Sequence, residues 1–127
     1  MTAPSQVSRV LSVGVPVADQ GKALEFYTAV LGLSMSRDVP MGGGARWLEV
    51  APPDGSATTI ALTPATPDAP AGVETAIRLC VSDADAFRDR LIAHGASADE
   101  VLRWPGVPPM FTFRDQDGNG LVILQEA

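Results

Sequence analysis

VGVPVAD, at residues 13–19, is the most informative stretch of the chain, because IRLCVSD follows the same pattern 64 positions later, at residues 77–83. In both stretches apolar residues alternate with other residues, which predicts a strand with one buried face. Each stretch ends in an aspartate, of which Asp19 is placed to cap the helix that follows, and Gly32 and Gly95 are placed to end the two helices. Two copies of a strand–helix unit, each too small to bury its own apolar face, should pack together and leave a cleft.

Composition limits the kind of protein and its partners. The chain has 127 residues, of which 46% are hydrophobic, which predicts one domain over residues 1–127 with a substantial core. Nine basic and fifteen acidic side chains give a net charge of −6, so we expect neither nucleic acid nor a membrane surface as a partner. Residues 1–9 lack an apolar signal core, and no apolar run approaches the roughly 20 residues that span a bilayer. We therefore expect a cytoplasmic location.

After each strand–helix pair the pattern predicts three more strands, which gives the order βαβββ twice and an α+β fold. The predicted strands lie near residues 10–17, 34–39, 45–51, 58–63, 75–81, 100–103, 110–114 and 121–126. The predicted helices span about 20–31 and 83–93. We expect a first module at about 8–63, an extended proline-rich linker at 64–74, and a second module at about 75–127. The helices should cover one face of each mixed sheet, and the other faces should curve into a central trough.

Three motifs give the chain a family resemblance. The strand ending in VAD at 17–19 is followed by ALEFY at 23–27 and VLGL at 30–33, and FRDQDGN at 113–119 is similar to the hairpin F-x-D-P-D-G-N, with Gln116 in place of the proline. In order and spacing these motifs resemble the vicinal oxygen chelate superfamily, which includes glyoxalase I, extradiol dioxygenases and bleomycin-resistance proteins. The resemblance covers nearly the whole chain and implies the same trough-forming fold.

The resemblance also implies where a metal ion would be held. Enzymes of this superfamily bind a divalent metal through His, Gln or Glu on the first and last strands of each module. The matching positions here are Ser12, Ala61, Ala76 and Val122. A divalent ion needs at least three oxygen, nitrogen or sulfur donors, and alanine and valine supply none. We therefore expect no metal and no cofactor, and we expect His94, the one histidine, to lie exposed at a helix end.

Strand alternation selects the side chains that should face the trough. The candidate ligand-binding residues are Ser12, Trp47, Glu49, Arg78, Trp104, Met110, Thr112 and Val122. Trp47 is placed either to stack on a planar ligand or to fill the sheet surface or a dimer contact. Arg78 is placed to anchor an anionic group or to form a salt bridge with Glu49. Glu49 is also a weak candidate for a general base, and Trp104 and Met41 are candidates for the rim.

These residues are compatible with three kinds of function. The first is a metal-independent small-molecule-binding protein that sequesters a planar or partly aromatic ligand as a homodimer. The second is a glyoxalase- or dioxygenase-type enzyme, a lyase, isomerase or oxidoreductase, with a non-standard active site. The third is an interaction module that binds another protein. We favour the first, and the sequence leaves open whether the trough is built within one chain or across a dimer.

Overall fold

The computed structural model describes residues 5–55 and 58–126, which form seven strands and two helical segments. The strands are β1 Ser12–Val17, β2 Ser34–Gly42, β3 Ala45–Ala51, β4 Thr59–Pro64, β5 Glu74–Val81, β6 Met110–Arg114 and β7 Gly120–Gln125. The helices are α1 Gln20–Glu25, continued by a π-helical turn at Phe26–Val30, and α2 Ala84–Ala93. The mixed α+β class predicted from the sequence is confirmed.

The first half of the chain forms a four-stranded sheet, sheet 1, in the order β1-β4-β3-β2. Strand β1 runs parallel to β4, and β3 runs antiparallel to both β4 and β2. The predicted alternation holds, because Leu48 and Val50 are buried in the core while Trp47 and Glu49 lie on the opposite face. The face of sheet 1 that turns away from the helices is called the sheet 1 face below.

The second half forms a three-stranded sheet, sheet 2, in the order β5-β7-β6. Phe111 and Phe113 lie in the core, as predicted, and Met110 and Thr112 lie on the opposite face, the sheet 2 face. The predicted strand near 100–103 does not form as a continuous strand within the described residues. In that segment, isolated bridges join Ala98 to Phe113 and Leu102 to Met110. Leu102 follows Ala98 by four positions, whereas their partners Met110 and Phe113 are three positions apart. The edge segment therefore has one extra residue, which interrupts the ladder.

Both helices begin at an aspartate cap, which the sequence predicted for Asp19. Asp19 accepts a hydrogen bond of 3.0 Å from the backbone N–H of Lys22, and Asp83 accepts one of 3.0 Å from the N–H of Ala86. The first helix is not α-helical throughout, because its second half, Phe26–Val30, widens into a π-helical turn. Gly32 follows with φ +79°, the left-handed conformation expected of a glycine at a helix end.

Two connections differ from the prediction. The segment expected to be an extended linker doubles back, because Thr66 and Ala69 exchange backbone hydrogen bonds of 3.0 and 3.1 Å. Strand β2 continues to Gly42, so the loop expected over 40–44 is reduced to a tight glycine turn before β3. Both differences shorten the flexible connections and leave more of the chain in paired backbone.

The core is one hydrophobic cluster with contributions from both halves. Its fully buried members include Val15, Val17, Tyr27, Leu48, Val50, Leu91, Phe113, Leu121 and Ile123. The guanidinium of Arg90 on α2 also donates to the carbonyls of Val30, at 2.7 Å, and Ala29, at 3.0 Å, which ties the two helices together. Because both helices pack on the core side, the sheet 1 and sheet 2 faces are left as the candidate binding surfaces.

Candidate functional site

One row of side chains crosses all four strands of sheet 1. Strand pairing places Arg37 opposite Glu49, Glu49 opposite Ala61, and Ala61 opposite Gly14. Paired residues share a face of a sheet, so this row lies on the sheet 1 face. Two of its four members carry little or no side chain, which leaves a low floor beside the glutamate.

Glu49 is a buried carboxylate held by neutral donors. Its side chain belongs to a residue that is only 4% exposed. Oε2 accepts a hydrogen bond of 2.5 Å from Nε1 of Trp47, and Oε1 accepts one of 2.8 Å from the hydroxyl of Thr59. None of the ion pairs among the described residues includes Glu49. The salt bridge between Glu49 and Arg78 that the sequence allowed is therefore not formed within the chain.

Trp47 presents an aromatic surface next to this carboxylate. The residue is 42% exposed, and the guanidinium carbon of Arg37 lies 4.7 Å from the centre of its ring. That distance is typical of a cation–π contact. The indole therefore binds Glu49 through its edge and a planar cation through its face. Arg37 and Thr59 were not among the residues predicted from the sequence.

Sheet 2 carries the second group of predicted residues. Arg78 pairs with Val122, and Val122 pairs with Thr112, so these three form a row on the sheet 2 face. Together with Met110 they line a depression of about 260 Å³, whose outer wall is the edge segment that contains Asp99, Glu100 and Leu102. The structure thus brings four of the eight predicted ligand-binding residues together. No residue of sheet 1 lines this depression.

A larger cavity of about 430 Å³ opens between the two halves of the chain. Its lining includes Val13, Val50, Ile60, Leu79 and Ile123, which are core-facing side chains of the hydrophobic cluster. Polar groups that could orient a ligand are few there, since the charged side chain in the lining is Arg78 at the exposed edge of β5. We regard this cavity as a gap at the margin of the core, although it is larger than the depression on sheet 2.

The positions that match metal ligands in the superfamily are distributed over both sheets. Ser12 and Ala61 lie on sheet 1, and Ala76 and Val122 lie on sheet 2. Ala76 has φ +60°, a left-handed conformation that is uncommon for a residue with a side chain, and the β5–β7 register shifts around it. Within residues 5–55 and 58–126, no group of three or more His, Cys, Asp or Glu side chains is placed to hold an ion. The side chains of the described residues therefore do not fit a divalent metal.

The remaining predicted residues lie at the periphery. Trp104 is 64% exposed in the turn that precedes β6, and Met41 is exposed near the end of β2. Neither lines the depression on sheet 2. His94 caps the C-terminal end of α2, where its Nδ1 lies 2.8 Å from the carbonyl oxygen of Arg90. Cys80 is exposed on β5.

Comparison with known proteins agrees with this arrangement. Residues 9–123 match the family model of the Glyoxalase/Bleomycin resistance protein/Dioxygenase superfamily. The chain belongs to this superfamily. The resemblance inferred from the three sequence motifs is thereby confirmed.

Two solved structures are similar to this chain over most of its length. The antibiotic-binding protein TnmS3 from Streptomyces sp. CB03234 is 34% identical, with 95% of this chain and 98% of that chain covered and a TM-score of 0.82. A superfamily member from Sphaerobacter thermophilus DSM 20745 is 30% identical, with 94% and 98% covered and a TM-score of 0.83. These similarities establish the fold of both sheets.

A curated relative matches over a shorter stretch. The uncharacterized protein YetH from Bacillus subtilis (strain 168) is 41% identical over 58 residues, which is 46% of this chain and 48% of that protein. The match thus spans about half the length of the relative.

Among the helices that the structure describes, none has the length and apolar character needed to cross a membrane.

Proposed function

We propose that this superfamily member is a small-molecule-binding protein that sequesters a planar, partly aromatic ligand without a metal ion. The observation that supports this most is Trp47, a half-exposed indole on an open sheet face, fixed through its edge by the buried Glu49. Ligand pockets typically combine apolar and aromatic walls with a few fixed polar groups. The superfamily positions that would hold a metal ion carry mainly alanine and valine. These side chains cannot coordinate a metal, but they provide an apolar surface on which a small molecule could bind.

The similarity to TnmS3 supports the same function. TnmS3 is described as an antibiotic-binding protein, and it is 34% identical to this chain over nearly the full length of both. Fold alone does not establish function, because one fold carries many activities. The side chains of the two faces are therefore the main support for ligand binding, and the similarity to TnmS3 adds to it.

We further propose that the ligand is enclosed by a homodimer. The predicted binding residues form two groups, one around Trp47 and Glu49 on sheet 1 and one around Arg78, Met110 and Thr112 on sheet 2. The depression on sheet 2 includes no residue of the first group. A second copy would supply the missing wall for each group. All residues of β2 are exposed, including Met35, Val39 and Met41, which is compatible with such an interface. The cytoplasmic location stays a prediction.

Titration with three planar tricyclic compounds of different charge tests the proposal: acridone, proflavine and anthraquinone-2-sulfonate. At least one should bind saturably in calorimetry, and its affinity should not change when EDTA is added. Trp47→Ala should abolish that binding, whereas Trp104→Ala, which removes the other tryptophan, should leave it intact. Absence of saturable binding for all three compounds would reject the proposal. Stoichiometric metal in the purified protein would reject its metal independence.

The alternative is a glyoxalase- or dioxygenase-type enzyme with a non-standard active site. The observation in its favour is that Glu49 is a buried carboxylate on the candidate binding face, where a general base would be placed. Hemithioacetal isomerisation and catechol cleavage, assayed with and without added nickel, zinc or iron, distinguish the two functions. Turnover that Glu49→Gln abolishes while ligand binding is retained would establish the enzyme.

A further inference from the structure

Glu49 is a buried carboxylate that forms no ion pair with the residues that the structure describes. A carboxylate has about four acceptor sites, and the hydrogen bonds from Trp47 and Thr59 use two of them. Both donors are neutral, and no ion pair of the described residues reaches this side chain. Charged groups that are buried in proteins are ordinarily paired with an opposite charge. Within residues 5–55 and 58–126, the sheet 1 face therefore has a fixed negative group without an ion-pair partner.

The arginine best placed to supply that charge points elsewhere. Arg37 lies directly opposite Glu49 in the pairing of β2 with β3, yet its guanidinium carbon lies over the ring of Trp47, 4.7 Å from its centre. An extra residue in β2, Ser36, shifts the register between Met35 and Arg37. Three other arginines form ion pairs with different acids: Arg46 with Asp38, Arg103 with Asp85, and Arg114 with Glu74.

The surface next to the carboxylate is low enough to admit a ring system. Beside Glu49 the row continues with Ala61 and Gly14, which place almost no side-chain atoms above the sheet. A Cβ added at Gly14 would meet Thr63 Cγ2 at 3.9 Å and nothing closer outside its chain neighbours. A flat ligand that lies over this floor would have Trp47 at one side and the glutamate at its edge.

We infer that the ligand of the sheet 1 face carries a positively charged nitrogen on a planar aromatic system, and that Glu49 binds that nitrogen. This inference rests on the proposed function, whose ligand it specifies further. The cation–π contact of Arg37 shows that the face of Trp47 accepts a planar cation. The net charge of −6 favours cations in the same sense. A ligand that is anionic at this edge would be repelled.

Two probes with the same tricyclic skeleton test the inference. Proflavine is a planar cation and acridone is neutral, and the affinity of the unmodified protein for each is measured by calorimetry at low and high salt. We expect proflavine to bind at least about tenfold more tightly, since a buried charge pair contributes at least that much. Added salt should weaken proflavine binding and leave acridone binding nearly unchanged.

Two variants locate the charge that is responsible. Glu49→Gln keeps the shape and one acceptor oxygen, and it should lower proflavine affinity about tenfold or more and acridone affinity by much less. Glu25→Gln removes an equal charge from an exposed position at the end of α1 and should change neither. Thermal unfolding of both variants checks that they are folded.

Each other outcome overturns the inference. Equal loss of both probes in Glu49→Gln would show that the glutamate acts only by supporting Trp47 and the sheet, and the proposed function would survive. Equal affinity of the unmodified protein for both probes would overturn the inference even if Glu49→Gln failed to fold. If neither probe, nor the anionic tricyclic compound, bound at all, the proposed function would fall as well.

Discussion

The hydroxyl of Tyr27 donates a hydrogen bond of 2.7 Å to Oδ2 of Asp115, although 88 positions separate the two residues in sequence. Asp115 also accepts from the side chain of Asn119 at 3.0 Å, and Asn119 Nδ2 donates at 2.9 Å to the carbonyl of Pro16. The helix motif of the first repeat and the hairpin motif of the second thus form one buried network. This network fixes the two sheets relative to each other, and with them the two candidate binding faces.

Removing the Tyr27 hydroxyl should destabilise the protein without emptying the core. Tyr27→Phe keeps the ring in place but leaves Asp115 with fewer donors inside the protein. Hydrogen bonds to charged groups contribute about 1.5–3 kcal/mol, so we expect a loss of about 2 kcal/mol. Urea unfolding followed by circular dichroism measures it. A loss below about 0.5 kcal/mol would show that the network does not hold the two halves together.

The same tyrosine predicts a loss of stability at alkaline pH. Burial, and then the negative charge of Asp115, raise the pKa of Tyr27 far above its usual range in the folded protein. In the unfolded chain Tyr27 ionises near pH 10. The neutral tyrosine therefore contributes fully to the free energy of unfolding below that pH, and this contribution is lost as the pH rises. Above about pH 10 the free energy of unfolding should fall by up to about 1.4 kcal/mol per pH unit.

Absorbance of the tyrosinate ion checks this prediction, because Tyr27 is the sole tyrosine of the chain. The signal should appear together with unfolding, and stability should fall less steeply in Tyr27→Phe. Ionisation of the tyrosine while the protein is still folded would mean that the hydroxyl is accessible to solvent.

Gly120 lies beneath an ion pair on sheet 2. Glu74 and Arg114 form an ion pair over the backbone of Gly120. A Cβ at this position would collide with the ends of both side chains. Gly120→Ala should therefore break the pair while the backbone stays in place. Because both partners are partly exposed, we expect a cost of about 1 kcal/mol or less. Gly14→Ala, where the added carbon meets only Thr63 Cγ2 at an ordinary contact distance of 3.9 Å, is the matched control. A double-mutant cycle with Glu74→Gln should show that Gly120→Ala and Glu74→Gln remove the same interaction.

The left-handed conformation of Ala76 predicts opposite effects of two substitutions. A non-glycine residue in this conformation costs about 1–2 kcal/mol, and glycine avoids that cost but loses about 0.5–1 kcal/mol through added chain flexibility. Ala76→Gly should thus be slightly stabilising, by about 0.5 kcal/mol. Ala76→Val, which is β-branched, should be destabilising. Unfolding midpoints in urea compare the two, and a more stable valine variant would contradict the conformation.

The side chains that face inward or outward could be predicted from the sequence because alternation in a strand is local. A period of two places Leu48 and Val50 on the core face of β3 and Trp47 and Glu49 on its other face. It separates Phe111 from Thr112 on β6 in the same way. The aspartate caps and glycine ends of the helices are equally local. These features place each candidate residue on a sheet face without knowledge of the rest of the fold.

The partners of those side chains could not be predicted, because they depend on register between strands. Thr59 reaches Glu49 only once β3 and β4 are paired, and Arg37 reaches Trp47 only after an extra residue enters β2. The interrupted pairing of Ala98 and Leu102 with β6 has the same cause. A strand pattern carries no signal for a one-residue bulge, so this edge of sheet 2 was predicted as a regular strand.

Fluorescence of Trp47 alone tests ligand binding on the sheet 1 face. Trp104→Phe removes the other tryptophan and leaves Trp47 as the single emitter. Titrated with proflavine in the presence of EDTA, this variant should show saturable quenching that reaches a plateau. Emission that declines without saturation, or quenching that EDTA abolishes, would mean that this face is not a metal-independent ligand site.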